Sequence, residues 1–492
     1  MTRAFVIAIV VSALSASCSD TGLQGVRNDN LPPKTYLTLE SINRPDDNRL
    51  NSQVRIRWWG DDPDGFVTGY EFAIQNGPWQ YTTSTDSLFI LPIPVGNDRA
   101  DVSFRVRAID NLELRDPNPA SLTFPIINSK PSLRYRITEM PSDTTYHVFG
   151  FGWNATDPDG AANLAFTEIA VNDSLNGWIA LPQGVDFVTV SITNGAGSTA
   201  TGDIRVGKAF VDSGLRLQGI RMNADNTFYA RSVDQAGAKS PAMAKTWHVK
   251  RQTSRVLLIS DLSTPDASAR VNAALTYLNA AGVTAVDVIT ANDGVATGGF
   301  KAPMSAAFQR TIDPTMSRAL AKWDFIYWLS NDLDRNITYA LDLTVDFFRN
   351  GGKMFINIAT KNLPPSDPVF LFLPIDRLGA PNVTGALGFL VQANTNVTPG
   401  GGAFAPAVRI GSSNITGIYP LVPTGGYTVL YNAVWRVRTL LGSQAYAGNP
   451  AVAVKNSDGN MVFLGMDVNT LNPADVPAMI AFLTVNQLGF QN

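Results

Sequence analysis

Thiol and imidazole chemistry have few places to occur in this sequence. Cys18 is its one cysteine, and His147 and His248 are its two histidines. A cysteine nucleophile needs a base to take its proton, and zinc sites draw on His and Cys at set spacings; the sequence supplies neither set. Residues 253–492 contain no Gly-x-Ser-x-Gly turn with a histidine partner, the arrangement serine hydrolysis requires. There is no Gly-x-x-x-x-Gly-Lys-Ser/Thr to cradle a nucleotide phosphate. Aspartates remain. Paired carboxylates can cleave glycosidic bonds, and every acidic residue of this half is Asp, with Asp261, Asp332 and Asp467 following apolar runs. Calcium takes six to eight oxygen ligands, so Asp62 and Asp64, or Asp157 and Asp159, are weak candidate ligands. Both pairs lie in Asp-Pro-Asp-Gly, which is turn chemistry in its own right. The reading is therefore no resident cofactor, with calcium the exception to check.

The elements that position these residues fall into two styles. Val54-Arg55-Ile56-Arg57-Trp58-Trp59-Gly60 runs into Asp62-Pro63-Asp64-Gly65 and later Phe104-Arg105-Val106-Arg107-Ala108-Ile109-Asp110. Phe149-Gly150-Phe151-Gly152-Trp153 runs into Asp157-Pro158-Asp159-Gly160 and later Phe228-Tyr229-Ala230-Arg231-Ser232-Val233-Asp234. The order is the same in both, so this is an internal repeat, longer in its second copy by a stretch around Asn172 to Asn226. Alternation with period two marks half-buried strands, and closely spaced turns argue for a β-sandwich in each copy. Trp58, Trp59, Trp79, Trp153 and Trp178 fall here. If Trp58 and Trp59 share a strand, one of them faces outward; exposed tryptophans stack on sugars, while buried ones fill the core.

Beyond Lys250 the pattern changes to apolar runs that alternate with helical stretches. Arg255–Asp261, Val286–Thr290, Asp324–Ser330 and Lys353–Ile358 read as strands buried on both faces. Helices are expected over about 266–281, 337–349 and 473–488, with a hairpin around Ser457-Asp458-Gly459. This is a doubly wound α/β domain. Ligands in such sheets sit beyond the carboxyl ends of the strands, where Asp261, Ser263, Asn331, Asp332, Lys361 and Asp467 are the candidate crevice residues. The competing role for these types is capping helices and forming turns. Residues 362–450, rich in Gly, Pro, Asn and Thr, form an insertion that is long for a loop, with a strand expected over Tyr427 to Leu441.

The amino-terminal run Met1-Thr2-Arg3, apolar Ala4 to Leu14, then Ser15-Ala16-Ser17-Cys18 has the layout of a secretory signal. The apolar run is shorter than the roughly 20 residues a spanning helix needs. Its end resembles the lipobox of bacterial lipoproteins, with Ser15 where leucine is customary. That resemblance implies cleavage before Cys18, acylation of Cys18, and a partner in the membrane through that lipid. With 38 basic and 41 acidic residues and no basic block, nucleic acid is not an expected partner.

The repeat resembles fibronectin type III and related immunoglobulin-like domains. Residues 253–492 resemble the class I glutamine amidotransferase-like fold, on the strand ending Ser260-Asp261, the Asp324–Ser330 strand, Gly351-Gly352-Lys353 leading into Met354–Ile358, and the closing Met461–Asp467 strand. Catalytic members carry a cysteine just after the strand corresponding to Met354–Ile358 and a later histidine. Ala359 stands at the nucleophile's place here, and the domain holds no cysteine or histidine.

The expected organisation is a signal peptide (1–17), a lipidated spacer (18–34), sandwiches over 35–128 and 129–252, and an α/β domain over 253–492. The expected role is an exported lipoprotein at the outer membrane or cell surface, non-catalytic, binding a glycan or an envelope protein. The alternatives are an envelope polysaccharide hydrolase acting through crevice aspartates, and a purely structural envelope component.

Overall fold

The computed structural model describes residues 29–39, 49–94, 97–141, 143–194, 197–291, 315–333, 336–401, 404–423, 425–448 and 450–492. The signal segment and Cys18 lie outside the described residues. The chain divides into two compact units. The first runs to Ser129 and includes Pro158–Gly160 and Ala236–Ala238; the second takes the remainder.

The first unit is a sandwich of β1 (Lys34–Leu39), β2 (Leu50–Asn51), β3 (Gln53–Asp61), β4 (Val67–Ile74), β5 (Gln80–Thr82), β6 (Asp86–Ile90), β7 (Arg99–Asp110) and β8 (Ala120–Ile127). One sheet has the order β1-β3-β6, the other β2-β8-β7-β4-β5. Alternation in β3 turns Val54, Ile56 and Trp58 inward and leaves Arg55, Arg57 and Trp59 outward. Trp58 sits within 6.0–6.4 Å of the rings of Tyr70, Phe72, Phe89 and Phe104 at the centre of the core.

The second unit opens with the matching sandwich: β9 (Ser132–Tyr135), β10 (Thr144–Thr145), β11 (Val148–Thr156), β12 (Leu164–Val171), β13 (Ile179–Ala180), β14 (Phe187–Asn194), β15 (Thr199–Val206), β16 (Val211–Arg221), β17 (Ala224–Asp234) and β18 (Met243–Val249). Its sheets run β10-β18-β17-β12-β13 and β16-β15-β14-β11-β9. The extra length of the second copy is thus the β15–β16 pair, added to the edge that in the first copy ends at β6. The repeat extends to its ion pairs. Glu71 holds Arg107 and Arg115 at 2.6 and 3.2 Å, and Glu168 holds Arg231 and Lys239 at 2.6 and 3.2 Å. Arg107 covers the Trp79 ring and Arg231 the Trp178 ring, at 4.3 and 3.8 Å.

The α/β domain is built on β19 (Val256–Asp261), β20 (Asp287–Thr290), β21 (Phe325–Ser330) and β22 (Lys353–Ile358). The insertion supplies β23 (Arg377–Leu378), β24 (Phe389–Val391), β25 (Asn396–Pro399), β26 (Val408–Arg409), β27 (Ile415–Thr416), β28 (Leu421–Val422), β29 (Thr428–Ala433), β30 (Trp435–Thr439) and β31 (Gly442–Ala445). The hairpin β32 (Ala451–Lys455) and β33 (Met461–Leu464) closes the set. Strands β20-β19-β21-β22-β33 are parallel, and β32 and β29 extend the sheet antiparallel. The helices are α1 (Ala267–Ala280), α2 (Met316–Leu320), α3 (Ala340–Leu343), α4 (Val345–Arg349) and α5 (Val476–Ala481). Val256 and Leu258 face α1 and α5, while Leu257 and Ile259 face α2 to α4, so both sides of β19 are buried.

Three expected elements break into pieces. The helix expected over 337–349 is interrupted at Thr344, whose hydroxyl bonds the Ala340 carbonyl at 2.6 Å. The last helix is α5 followed by a π-helical turn, Phe482–Asn486, where Thr484 bonds the Ile480 carbonyl in the same way. The strand expected over 427–441 divides at exposed Val434, with β29 joining the main sheet and β30 a separate sheet of order β27-β24-β30-β31.

The second sandwich and the α/β domain share one hydrophobic cluster, in which Tyr146 and Val148 pack with Leu257, Ile259, Trp323 and Trp328. The Tyr146 hydroxyl donates to the Val288 carbonyl and accepts from the Val288 amide, each at 3.1 Å. Burial, with Asp287 nearby, pushes that hydroxyl's pKa up to about 12. Asp287, 5% exposed, accepts from the Thr253 and Ser254 amides, the Thr253 hydroxyl and Trp323 Nε1. Gln252 donates its amide to His147 Nε2 and its side chain to the Lys322 carbonyl.

Candidate functional site

The carboxyl ends of β19, β21 and β22 bring most of the candidate crevice residues into one neighbourhood. Ser330 Oγ donates to the Asp261 carbonyl at 3.0 Å, and Asn331 exchanges hydrogen bonds with Ser263 through Oδ1 and Nδ2. The Asp261 side chain is fully buried and accepts from Asn336 Nδ2 at 2.8 Å. Lys361 Nζ meets Asp332 Oδ1 at 2.6 Å. Each of these residues thus has a partner within the protein. The arrangement fastens three loops together.

Asp467 is bound up elsewhere. It caps the short helical turn Val468–Thr470 by accepting from the Asn469 amide, and it forms an ion pair with Arg270 from α1. Burial pushes the nearby Tyr327 hydroxyl far above its usual pKa, with Asp467 adding to the rise and Arg270 opposing it. Tyr327 is therefore a protonated donor, and it lies 3.5 Å from Asn357 Oδ1.

The chain after β22 reads Ala359-Thr360. The Thr360 hydroxyl donates to the Tyr419 carbonyl and accepts from the Tyr419 amide, both at 2.7 Å. A Cβ on Gly465 would lie 2.9 Å from both Leu421 and Thr360. The insertion is therefore packed onto the carboxyl end of β22. Composition alone gave no signal of where the insertion would fold back.

The four calcium candidates separate into two turns with different surroundings. The Asp159 side chain is fully buried and accepts from the Ser129 and Ser52 amides at 2.6 and 3.2 Å. Asp157 accepts from Asn163 Nδ2. In the first copy Asp64 accepts from the Leu31 amide. Both Asp62 oxygens are shielded and lack hydrogen-bond partners. Loss of water, with Asp64 and Asp110 close by, raises the Asp62 pKa above the ordinary carboxylate value. A Cβ on Gly65 would fall 2.2 Å from Asn111 Oδ1 and 2.5 Å from Asp62, so a larger residue there requires those side-chain ends to move. Among the described residues, no group of three or more His, Cys, Asp or Glu side chains is disposed to hold a metal ion.

The tryptophans divide by depth. Trp58 and Trp153 are core residues, at 1% and 0% exposure, whereas Trp59 is 49% exposed and stacks on Tyr36 at 5.3 Å across β1 and β3.

No family model matches the chain, and no curated protein matches it. Among solved structures, it is similar to the fibronectin(III)-like modules of Clostridium thermocellum CbhA. Identity there is 10% and the TM-score 0.18, over 44% of this chain and 95% of that one. It is also similar to a two-domain fibronectin type-III segment of chicken tenascin, at 14% identity and TM-score 0.19, over 45% of this chain and 99% of that one. A third similarity is to the PKD1 domain of Vibrio anguillarum Epp, at 14% identity and TM-score 0.15, over 20% of this chain and 98% of that one. The sandwich assignment rests on strand order and register rather than on these similarities. Among the described residues, no helix is long and apolar enough to cross a membrane.

Proposed function

We propose that the chain is an exported lipoprotein, tethered through acylated Cys18, that acts as a non-catalytic binding or scaffold module for a glycan or a protein of the cell envelope. The observation that carries the non-catalytic part is the closure at the end of β22, where Thr360 is bonded to Tyr419 of the insertion; under the glutamine amidotransferase resemblance Ala359 would stand at the nucleophile's place. The same geometry weighs against polysaccharide hydrolysis. Lys361 holds Asp332, Arg270 holds Asp467 and Asn336 holds Asp261, so none of these three carboxylates stands free as an acid or base.

The purified chain is to be incubated with a panel of envelope glycans while binding and product release are followed. Retention of a glycan without cleavage, or recovery of one envelope protein in a reciprocal pull-down, supports the reading. Turnover that disappears in Asp332→Ala or Asp467→Ala overturns it in favour of a hydrolase. For the tether, Cys18→Ser should move the protein from the membrane to the soluble fraction; unchanged membrane retention sinks that part.

A further inference from the structure

The second sandwich turns an unusual outer face toward the α/β domain. Cross-strand register places Gly150 of β11, Thr189 of β14, Arg205 of β15 and Asp212 of β16 in one row, with Val148 and Ser191 in the next. Residues paired across strands point to the same side, so Thr189 and Arg205 face outward together. Against this face stand α2 with Arg318, the following Ala321 and Lys322, and α4 with Asp346 and Arg349. Together they enclose a pocket of about 400 Å³, within the roughly 300–1,000 Å³ typical of small-ligand sites.

The lining is cationic. Arg205, Arg318, Lys322 and Arg349 face it with a single carboxylate, Asp346, which pairs with Arg349. Arg205 reaches Asp212 only at 3.8 Å. Arg318 Cζ lies over the Phe210 ring, 4.1 Å from its centroid. Its Nε is buried with no hydrogen-bond partner. The second, independent sign is Thr189. This residue is fully buried, and its Oγ1 has no hydrogen-bond partner although it lines the pocket. Buried polar groups are almost always bonded, and an orphan calls for an absent partner. A guanidinium seated over a ring, two further arginines, a lysine and a hydroxyl form a donor set for an oxyanion.

We propose that this pocket binds a compact oxyanion, a carboxylate or phosphate group on a ligand of about monosaccharide size. The site uses none of the crevice residues and does not depend on the tether. It would give the binding reading above a chemistry, yet it stands on its own residues.

The test is calorimetric titration of the full chain with glucuronate, with inorganic phosphate, and with glucose as the neutral control. Saturable binding of either anion, weakened by added salt and absent with glucose, is the expected result. Glucuronate alone would assign an acidic sugar, and phosphate alone a phosphoryl group. Arg318→Gln should weaken binding by about tenfold, and Thr189→Val by a few-fold. If Arg318→Gln fails to fold, Arg349→Gln and Lys322→Gln, both at exposed side chains, carry the same comparison. No saturable binding of either anion, or equal affinity in the wild type and these variants, overturns the proposal. Because the titration uses isolated protein, a failed pull-down or glycan panel has no bearing on it.

Discussion

Strands β3 and β11 hold the same place in their two sandwiches, and their inward residues do the same work. Val54, Ile56 and Trp58 fill one core, and Phe149, Phe151 and Trp153 fill the other. Their outward residues differ in kind. In β3 these are Arg55, Arg57 and Trp59, solvated or paired across the sheet, as in Arg55 with Asp86. In β11 they are Val148, Gly150 and Gly152, all buried. One face meets water; on the other, Val148 and Gly150 meet the α/β domain while Gly152 is covered by Glu139 and Arg136 of its own sandwich. The outward half of the alternation therefore decides whether a sandwich ends at its own surface or becomes a foundation.

Four experiments would break or sharpen that contrast. The inward halves should be equally costly to empty. Phe151, stacked on Phe228 at 3.8 Å, should lose about 3–5 kcal/mol on Phe151→Ala, and Ile56→Ala about 2–5 kcal/mol, in urea unfolding. A Phe151 variant of wild-type stability would contradict the shared core. The outward halves should diverge. A Cβ at Gly150 would lie 2.7 Å from Thr315 and 2.8 Å from Phe187, so Gly150→Val should cost about 1–3 kcal/mol. Arg57→Val on the solvated face should stay within about 0.5 kcal/mol; equal effects at the two positions would end the comparison. Next, Tyr146→Phe removes a hydroxyl bonded to both polar groups of Val288 and should cost about 1–2 kcal/mol. A neutral Tyr146 variant would mean the seam is held by packing alone.

The smallest effect concerns His147. Burial pushes its pKa below the ordinary value of 6.5, Lys322 and Arg251 push the same way, and Asp287 opposes them. The folded state then binds fewer protons than the unfolded chain. The stability due to neutral His147 is complete above about pH 6.5 and is lost as pH falls through the folded-state pKa. Urea midpoints measured at about pH 5 and about pH 7.5 should differ less in His147→Asn than in the wild type. An identical pH dependence would remove His147 from the account.

Much of this was legible in the residues. Arg alternating with Val and Ile in β3 announced a solvated face, and the uninterrupted apolar runs of β19, β21 and β22 announced a sheet covered on both sides. The turn composition of Asp-Pro-Asp-Gly also held. What escaped were effects that depend on neighbours distant in the chain. Glycine at 150 and 152 marks a close approach, but not of what. The hydroxyls of Thr344 and Thr484 bond to their own helices, a local competition that apolar periodicity does not register. The crevice acids carried no mark in sequence that Lys361, Arg270 and Asn336 would claim them. The cationic pocket draws on β14, β15, α2 and α4, so no single window of sequence contains it.

Asp287 has a mechanical consequence. The segment Gln252–Ser254 joins two domains, and such joints usually swivel. Here, hydrogen bonds from Thr253, Ser254 and Trp323 converge on one carboxylate, while Gln252 is held by His147 and Lys322. The joint is thus bonded on both sides, to His147 of the second sandwich and to Asp287 and Lys322 of the α/β domain, so a swivel there would have to break those bonds.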